Sequence, residues 1–90
     1  MNKFHISEFV RGWFVGGFDP SILKTEDVEV AIQYFKKGDR EPEHCHKIAT
    51  EITVIVTGKV MISGNEYITG DLIEIQPGEY AYFEALEDTT

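Results

Sequence analysis

The chain has 90 residues, which is enough for one small domain and too few for two. Apolar residues make up 42% of it, so the composition is not that of a disordered chain. Sixteen acidic residues against eight scattered basic ones give a formal charge of −8. Because binding to nucleic acids or to anionic membranes depends on clustered Lys and Arg, we expect neither partner.

No apolar run approaches the roughly 18 residues of a membrane span, and Glu8 lies where a signal peptide would be apolar. Cys45 is the only cysteine, so the chain can form neither an intrachain disulfide nor a zinc ribbon. These features predict a soluble protein of the reducing cytoplasm.

Short runs rich in β-branched and aromatic residues, separated by turn signals, predict an antiparallel all-β fold. Residues 1–25 are less regular and rich in Phe and Gly. We expect them to form an arm that packs on a barrel of residues 26–90 or on a partner subunit. The predicted strands of the barrel cover residues 28–35, 51–56, 60–62, 67–69, 72–75 and 80–83.

The predicted strand 51–56 has apolar side chains on both faces. One face of this strand would carry Ile55 with two polar residues, whereas the other face would carry Ile52, Val54 and Val56. A strand with this pattern needs cover on both sides, and a barrel interior covers only one of them. A small chain also leaves much of its surface exposed. We therefore expect a homodimer.

Residues 38–58 carry the candidate chemistry. His44 and His46 are two apart, so on an extended strand both imidazoles project from one face while Cys45 projects from the other. Glu51 begins the next predicted strand, and a hairpin can bring its carboxylate back beside the imidazoles. Two imidazoles and one carboxylate bind iron, zinc, manganese or nickel. The pattern predicts a divalent metal site at His44, His46 and Glu51, with the identity of the metal left open.

The positions of Gly38, His44, His46, Glu51 and Gly58 resemble the first conserved motif of the cupin superfamily, G-x5-H-x-H-x4-E-x6-G. Residues 70–78 are similar to the second cupin motif. The resemblance implies a double-stranded β-helix, the cupin jelly-roll barrel, which is often dimeric and holds any metal in its mouth. Cupins include dioxygenases, decarboxylases and sugar epimerases, and others only bind small molecules or act as storage proteins. The fold therefore does not give the function.

The second motif departs from the family pattern at Ala81. The resemblance places Ala81 where a third metal-binding His stands in cupins, and an alanine side chain has no donor atom. The replacements left open are Glu79, Gln76, His5 and a tyrosine. A cupin barrel also continues with further strands after this motif, so we expect a barrel that is incomplete at its C-terminal end or closed by the N-terminal arm.

Two functions from different classes are consistent with these residues. In the first, a divalent metal at the predicted site binds and polarises a small oxygen-bearing substrate. In the second, the barrel is non-catalytic, has a degenerate metal site, and binds a small molecule such as a sugar derivative or serves as an accessory subunit. A metal-free epimerase-like barrel is disfavoured because the chain lacks a basic cradle for an anion. The residues expected to line the pocket are Tyr34, Thr53, Glu79, Ala81 and Phe83.

Overall fold

The computed structural model describes residues Met1–Thr90 and shows an all-β chain. All pairings between its eight strands are antiparallel, which confirms the prediction of an antiparallel all-β fold, whereas the jelly-roll barrel stays a prediction. The helical residues form two single 3-10 turns, and neither has the length or the apolar character that a membrane-spanning helix needs. The contacts group the chain into two compact units, Met1–Gln33 and Tyr34–Thr90.

The unit Met1–Gln33 combines the 3-10 turns with a small sheet. The turns cover Ile6–Glu8 and Val10–Gly12, and the sheet pairs β1 (Trp13–Val15) with β2 (Val30–Ala31). The first turn is closed by a capping box, in which the His5 ring accepts from the Ser7 amide and the Glu8 carboxylate accepts from the His5 amide.

This first unit has almost no core of its own. Gly16 is its one buried residue, and its aromatic rings form a loose row in which Phe9 lies 6.2 Å from Phe4 and 6.5 Å from Phe14. Units of fewer than about 40 residues seldom fold without further stabilisation. The expectation that residues 1–25 cover another surface stays a prediction. The exposed large apolar side chains are Met1, Phe4, Val10, Ile22, Leu23, Val28, Val30 and Ile32.

The unit Tyr34–Thr90 contains two antiparallel sheets. The larger has the strand order β3-β8-β5-β6, and the smaller pairs β4 with β7. Hydrogen bonding between strands is therefore divided between two sheets and does not run around one closed ring. The strands are Arg40–His44 (β3), Glu51–Val54 (β4), Lys59–Ile62 (β5), Asn65–Ile68 (β6), Leu72–Ile75 (β7) and Ala81–Ala85 (β8).

Two glycines set the ends of β5. At one end, Ser63 and Gly64 both have positive φ and form the two-residue turn of the β5–β6 hairpin, a conformation that matches the twist of paired strands. At the other end, Gly58 has a φ of 107°, and a Cβ there would collide with Thr89 and with the backbone of Asp88. Any side chain at Gly58 would therefore push the C-terminal residues away from β5.

The core of this second unit lies on the inward faces of both sheets. Val60 of β5 is fully buried between its partners Tyr67 on β6 and Ala85 on β8. Strand alternation repeats this arrangement along each strand, so that every second residue faces inward. The buried cluster consists of Ile55, Val60, Ile62, Ile73, Ile75 and Ala81, with Tyr67 and Phe83 packed against it.

The smaller sheet is apolar on its outward face as well. Ile52 of β4 is 69% exposed and Leu72 of β7 is 71% exposed, and Val54, the cross-strand partner of Leu72, is about half exposed. This matches the two-sided apolar pattern of the sequence. The homodimer expected to cover this face stays a prediction.

The predicted strand 28–35 is wrong in its extent. The structure has only a two-residue strand within it, Val30–Ala31, followed by an isolated bridge between Phe35 and Thr89. The run is divided because Gln33 ends the first unit and Tyr34 begins the second. The β propensity of the run does not reveal this division, because the two parts have different partners.

Inward and outward positions of β4 and of Ile55, the residue that follows it, can be compared with one matched pair of substitutions. Ile55→Val removes a methyl group from a side chain that is 2% exposed and should lower the free energy of unfolding by about 0.5–1.5 kcal/mol. Ile52→Val makes the same change at an exposed position and should alter it by less than about 0.5 kcal/mol. Denaturant unfolding measures both values. Equal losses from the two variants would contradict this assignment of faces in the single chain.

Candidate metal centre

The three predicted ligands come from the ends of two strands in different sheets. His44 is the last residue of β3, His46 follows two residues later, and Glu51 is the first residue of β4. The expected hairpin between these strands is wrong, because β3 pairs with β8 and β4 pairs with β7. The ligands meet because the segment between them crosses from one sheet to the other. The sequence correctly predicted that the three side chains lie close together, but it wrongly predicted that a hairpin brings them there.

The donor atoms of the three side chains converge. One nitrogen from each imidazole and one carboxylate oxygen all lie within 4.8 Å of one another. Nε2 of His46 is 3.2 Å from Oε1 of Glu51, and the two imidazole rings are 5.7 Å apart at an interplanar angle of 85°. His44 and Glu51 are partly buried, whereas His46 is the exposed member of the group.

A backbone contact selects the tautomer of His44. Nδ1 of His44 lies 3.0 Å from the carbonyl oxygen of Pro42. A carbonyl oxygen can only accept, so Nδ1 carries the proton and Nε2 keeps a free lone pair. Metal-binding histidines typically show this arrangement, with one ring nitrogen donating to a fixed acceptor and the other facing the ion.

Glu51 is held at both of its oxygens. Thr53 Oγ1 donates to Oε2 of Glu51 over 2.9 Å, and Oε1 of Glu51 faces Nε2 of His46. Thr53 lies two residues along β4 and therefore on the same inward face. Thr53, expected to line the pocket, positions the carboxylate ligand by this hydrogen bond.

The segment that carries His46 is attached to the turn after β7. The amide of Gly78 donates to the carbonyl oxygen of His46 over 2.8 Å. Gly78 has a φ of 83° and belongs to the turn of the second motif, so that turn touches the first motif directly. This contact limits the freedom of a ligand that lies beyond the end of β3.

Ala81 lies beside the metal group, which consists of His44, His46 and Glu51, but is not part of it. It is the direct cross-strand partner of His44, and it is buried on the inward face of β8. Its methyl group offers no donor atom, so the protein supplies three ligands at this site.

The remaining pocket candidates are not all near the group. Phe83 lies on the inward face of β8 and packs against Phe35 at a ring distance of 4.7 Å. Tyr34 is exposed and lines a separate cavity of about 310 Å³, beside Lys36 and Thr90.

The side chains considered as replacements for the missing histidine make other hydrogen bonds. The carboxylate of Glu79 accepts from the amide of Gln76, and the Gln76 side chain donates to Glu74. His5 caps the first 3-10 turn, where its ring accepts from the Ser7 amide. The structure therefore brings neither Glu79 nor Gln76 to the ligand group as a fourth donor.

The tyrosine alternative includes Tyr80, which contacts Cys45. A hydrogen bond with the Cys45 side chain, followed by the electrostatic interaction with Cys45, raises the pKa of the Tyr80 hydroxyl above its ordinary value. Tyr80 is exposed and precedes Ala81, whose side chain faces inward. The contact is consistent with the prediction that Cys45 points away from the imidazoles.

A fourth polar side chain, Glu41, shares the face of His44, and the sequence did not predict it. Residues three apart on a regular strand face opposite sides. The register of β3 on β8 is irregular, however, and pairs Glu41 with Phe83 and His44 with Ala81. Phe83 and Ala81 are two apart and share the inward face, so their partners share it too. A bulge in β3 leaves no clear signal in the sequence.

The donor set fits a divalent transition metal. Two imidazole nitrogens and one carboxylate oxygen are the ligands of many zinc and non-haem iron sites, and such sites leave further positions for water or substrate. The fixed tautomer of His44 and the hydrogen-bonded carboxylate of Glu51 supply the outer contacts that these sites use. His44, His46 and Glu51 can therefore hold a metal ion.

Comparison of the chain with protein-family models, with curated proteins and with solved structures finds no match in any of the three. The assignment of this centre therefore depends on its own geometry and on the spacing of its residues.

Substitution of Thr53 tests whether its hydrogen bond to the Glu51 carboxylate strengthens metal binding. Thr53→Val keeps the shape of the side chain but removes the hydrogen bond to Glu51, and it should weaken metal binding by about 10- to 100-fold. Thr53→Ser keeps the hydroxyl and should bind like the parent protein. Titration with cobalt(II), followed by its visible absorption, measures both affinities. Equal affinity of Thr53→Val and the parent would show that the hydrogen bond does not tune the site.

Proposed function

We propose that residues 34–90 form a small cupin barrel that holds a divalent metal and binds or acts on a small oxygen-bearing molecule. The observation that carries the proposal is the convergence of His44, His46 and Glu51 from two sheets. His44 and His46 come from the end of β3 and Glu51 from the start of β4, and a nearby set of ligating side chains with converging donor atoms is what a candidate site requires.

Other features of the described chain support the cupin interpretation. Both glycines of the first motif, Gly38 and Gly58, have positive φ, with values of 92° and 107°, so the motif has glycine where the backbone requires it. The turn of the second motif contacts the first motif through Gly78 and His46. The antiparallel strands and the aliphatic interior are also those expected for a jelly roll.

The side chains have separate tasks in this proposal. A bound divalent ion would act as a Lewis acid on a substrate oxygen. His44 and His46 would hold the ion with neutral nitrogens, and Glu51 would neutralise half of its charge. The aliphatic side chains opposite Glu51 and Thr53, namely Ile75 and Ile73, would exclude water from the inner side of the site.

A second function is favoured by Ala81. Because the residue opposite His44 has no donor atom, the protein contributes three ligands where the family pattern has four. A centre of this kind can be the remnant of a catalytic site in a barrel that now only binds a small molecule or another protein. The two functions differ in whether metal is needed.

Metal content distinguishes the two functions. Tag-free protein expressed in metal-replete medium and then dialysed should retain close to one iron, zinc, manganese or nickel ion per chain. His46→Ala and Glu51→Gln should each lose most of this metal, because each removes one of three ligands. His5→Ala is the matched control and should leave the metal content unchanged, since the His5 ring already caps the first 3-10 turn by accepting from the Ser7 amide. Elemental analysis by mass spectrometry gives all four values.

The absence of metal from the parent protein, together with no uptake on titration, would contradict the metal-dependent function and favour the binding barrel. Circular dichroism of the same samples would show whether each variant keeps its β structure. Loss of metal from His5→Ala as well would mean that the metal is bound elsewhere.

The proposed assembly is a homodimer that buries the outward face of the smaller sheet. Ile52, Val54 and Leu72 are about half to three-quarters exposed and form an apolar surface, to which Val56 adds a further exposed side chain. The same face also carries Glu74, the cross-strand partner of Ile52. Together the apolar side chains expose on the order of 300–400 Å² of apolar area, as large as the patches that mark contacts on other proteins. Two copies of this face fall short of a standard interface, which indicates a weak dimer.

Leu72→Glu tests this assembly. A charge at the centre of a shared apolar face should convert the dimer to a monomer at micromolar concentrations, as measured by sedimentation velocity. Ile48→Glu is the control, because Ile48 is 93% exposed and lies outside the sheet. A parent protein that is monomeric at all concentrations would overturn the dimer and leave the metal proposal unaffected.

A further inference from the structure

Glu41 is a carboxylate on the inward side of the larger sheet that has no cation beside it. It is partly buried on β3, and it takes part in none of the chain's ion pairs. The adjacent Arg40 pairs with Glu84, its cross-strand partner, and so lies on the opposite face of the sheet. The irregular register of β3 therefore turns Glu41 inward and separates it from the nearest base.

The distance between Glu41 and the metal group suits a small molecule. Glu41 and His44 are partners of Phe83 and Ala81, which are two residues apart on β8. Two residues of extended strand span about 7 Å, so one small ligand can reach both levels. Ala81 is buried opposite His44 and Phe83 is partly buried opposite Glu41, so neither places a polar group between the two levels.

The charges of this face restrict the ligand. The inward sides of the two sheets carry the carboxylates of Glu41 and Glu51, and neither is paired with a lysine or an arginine. With a divalent ion bound at the metal group, the two carboxylates would balance its charge. A phosphate or a dicarboxylate would add negative charge without a cation to receive it. A hydroxyl group, in contrast, can donate to the free carboxylate of Glu41.

We propose that Glu41 is a ligand-binding residue that selects hydroxylated molecules: a small oxygen chelator occupies the metal group while its free hydroxyl donates to the Glu41 carboxylate. The ligand class is a small hydroxylated carbonyl compound with at most one negative charge. This inference rests on the proposed metal site and names the ligands that such a site would take. Neither the resemblance to cupins nor the metal-ligand spacing assigns a role to Glu41.

Two matched hydroxamic acids test the proposal. 3-Hydroxypropanohydroxamic acid and butanohydroxamic acid have the same chelating group and the same length, but the first ends in a hydroxyl and the second in a methyl. The whole chain is first loaded with cobalt(II), and its metal content is measured. Calorimetric titration then gives the affinity for each probe, and the visible spectrum of cobalt shows that the probe binds at the metal.

The parent protein should bind the hydroxylated probe about tenfold more tightly, because hydrogen bonds to charged groups have effects of this size. Glu41→Met should abolish the preference while keeping the metal content, and Glu41→Gln, a neutral acceptor, should reduce it. Glu43→Met is the matched control, since Glu43 is an exposed residue of the same strand, and it should keep the preference.

Equal binding of the two probes by the metal-loaded parent, or a preference that survives in Glu41→Met, would overturn the role of Glu41 and leave the metal site standing. Failure of the parent protein to take up cobalt at all would overturn both proposals. The metal measurement therefore separates failure of the site from failure of the inference.

Discussion

The division of β3 and β4 between two ladders is the constraint on which the candidate site depends. β3 is fixed by its pairing with β8, and β4 by its pairing with β7 over four successive residue pairs. His44 ends the first of these strands and Glu51 begins the second. Their separation is therefore set by how the two sheets lie within one unit, and the short segment between them has only to place His46. The hydrogen bond from Gly78 to His46 restrains that segment.

The same ladders decide which chemistry faces inward. In β4 the inward parity holds Glu51 and Thr53, followed by the buried Ile55, so polar residues lie at the mouth and an aliphatic one beyond them. In β8 the inward parity runs from Ala81 through Phe83. The interior is thus polar only at its rim. A carboxylate there keeps partial contact with water, which lowers the desolvation cost of keeping it charged.

The sequence predicts the parts of the structure that depend on local pattern. Alternation and turn residues identify the all-β class, and the spacing of His44, His46 and Glu51 identifies a ligand group that the structure brings together. It does not predict which strands pair, because pairing depends on contacts far apart in the chain. The expected hairpin between β3 and β4 failed for this reason. The strand expected over 28–35 failed because a boundary between units falls inside a run of β-branched and aromatic residues that contains no turn signal.

Glu41 shows that a residue outside the ligand motif can face the same side as the ligands. Counting by twos from His44 places Glu41 on the outside, among the many acidic residues of a chain with a charge of −8. A single irregularity in the β3–β8 register reverses its direction. On the outer surface one more carboxylate would interact only weakly with other charges, because water screens it. On the inward face, without a basic partner, the same carboxylate is free to accept a hydrogen bond. A molecule bound at the metal group would then be selected by whether it offers a hydroxyl to Glu41.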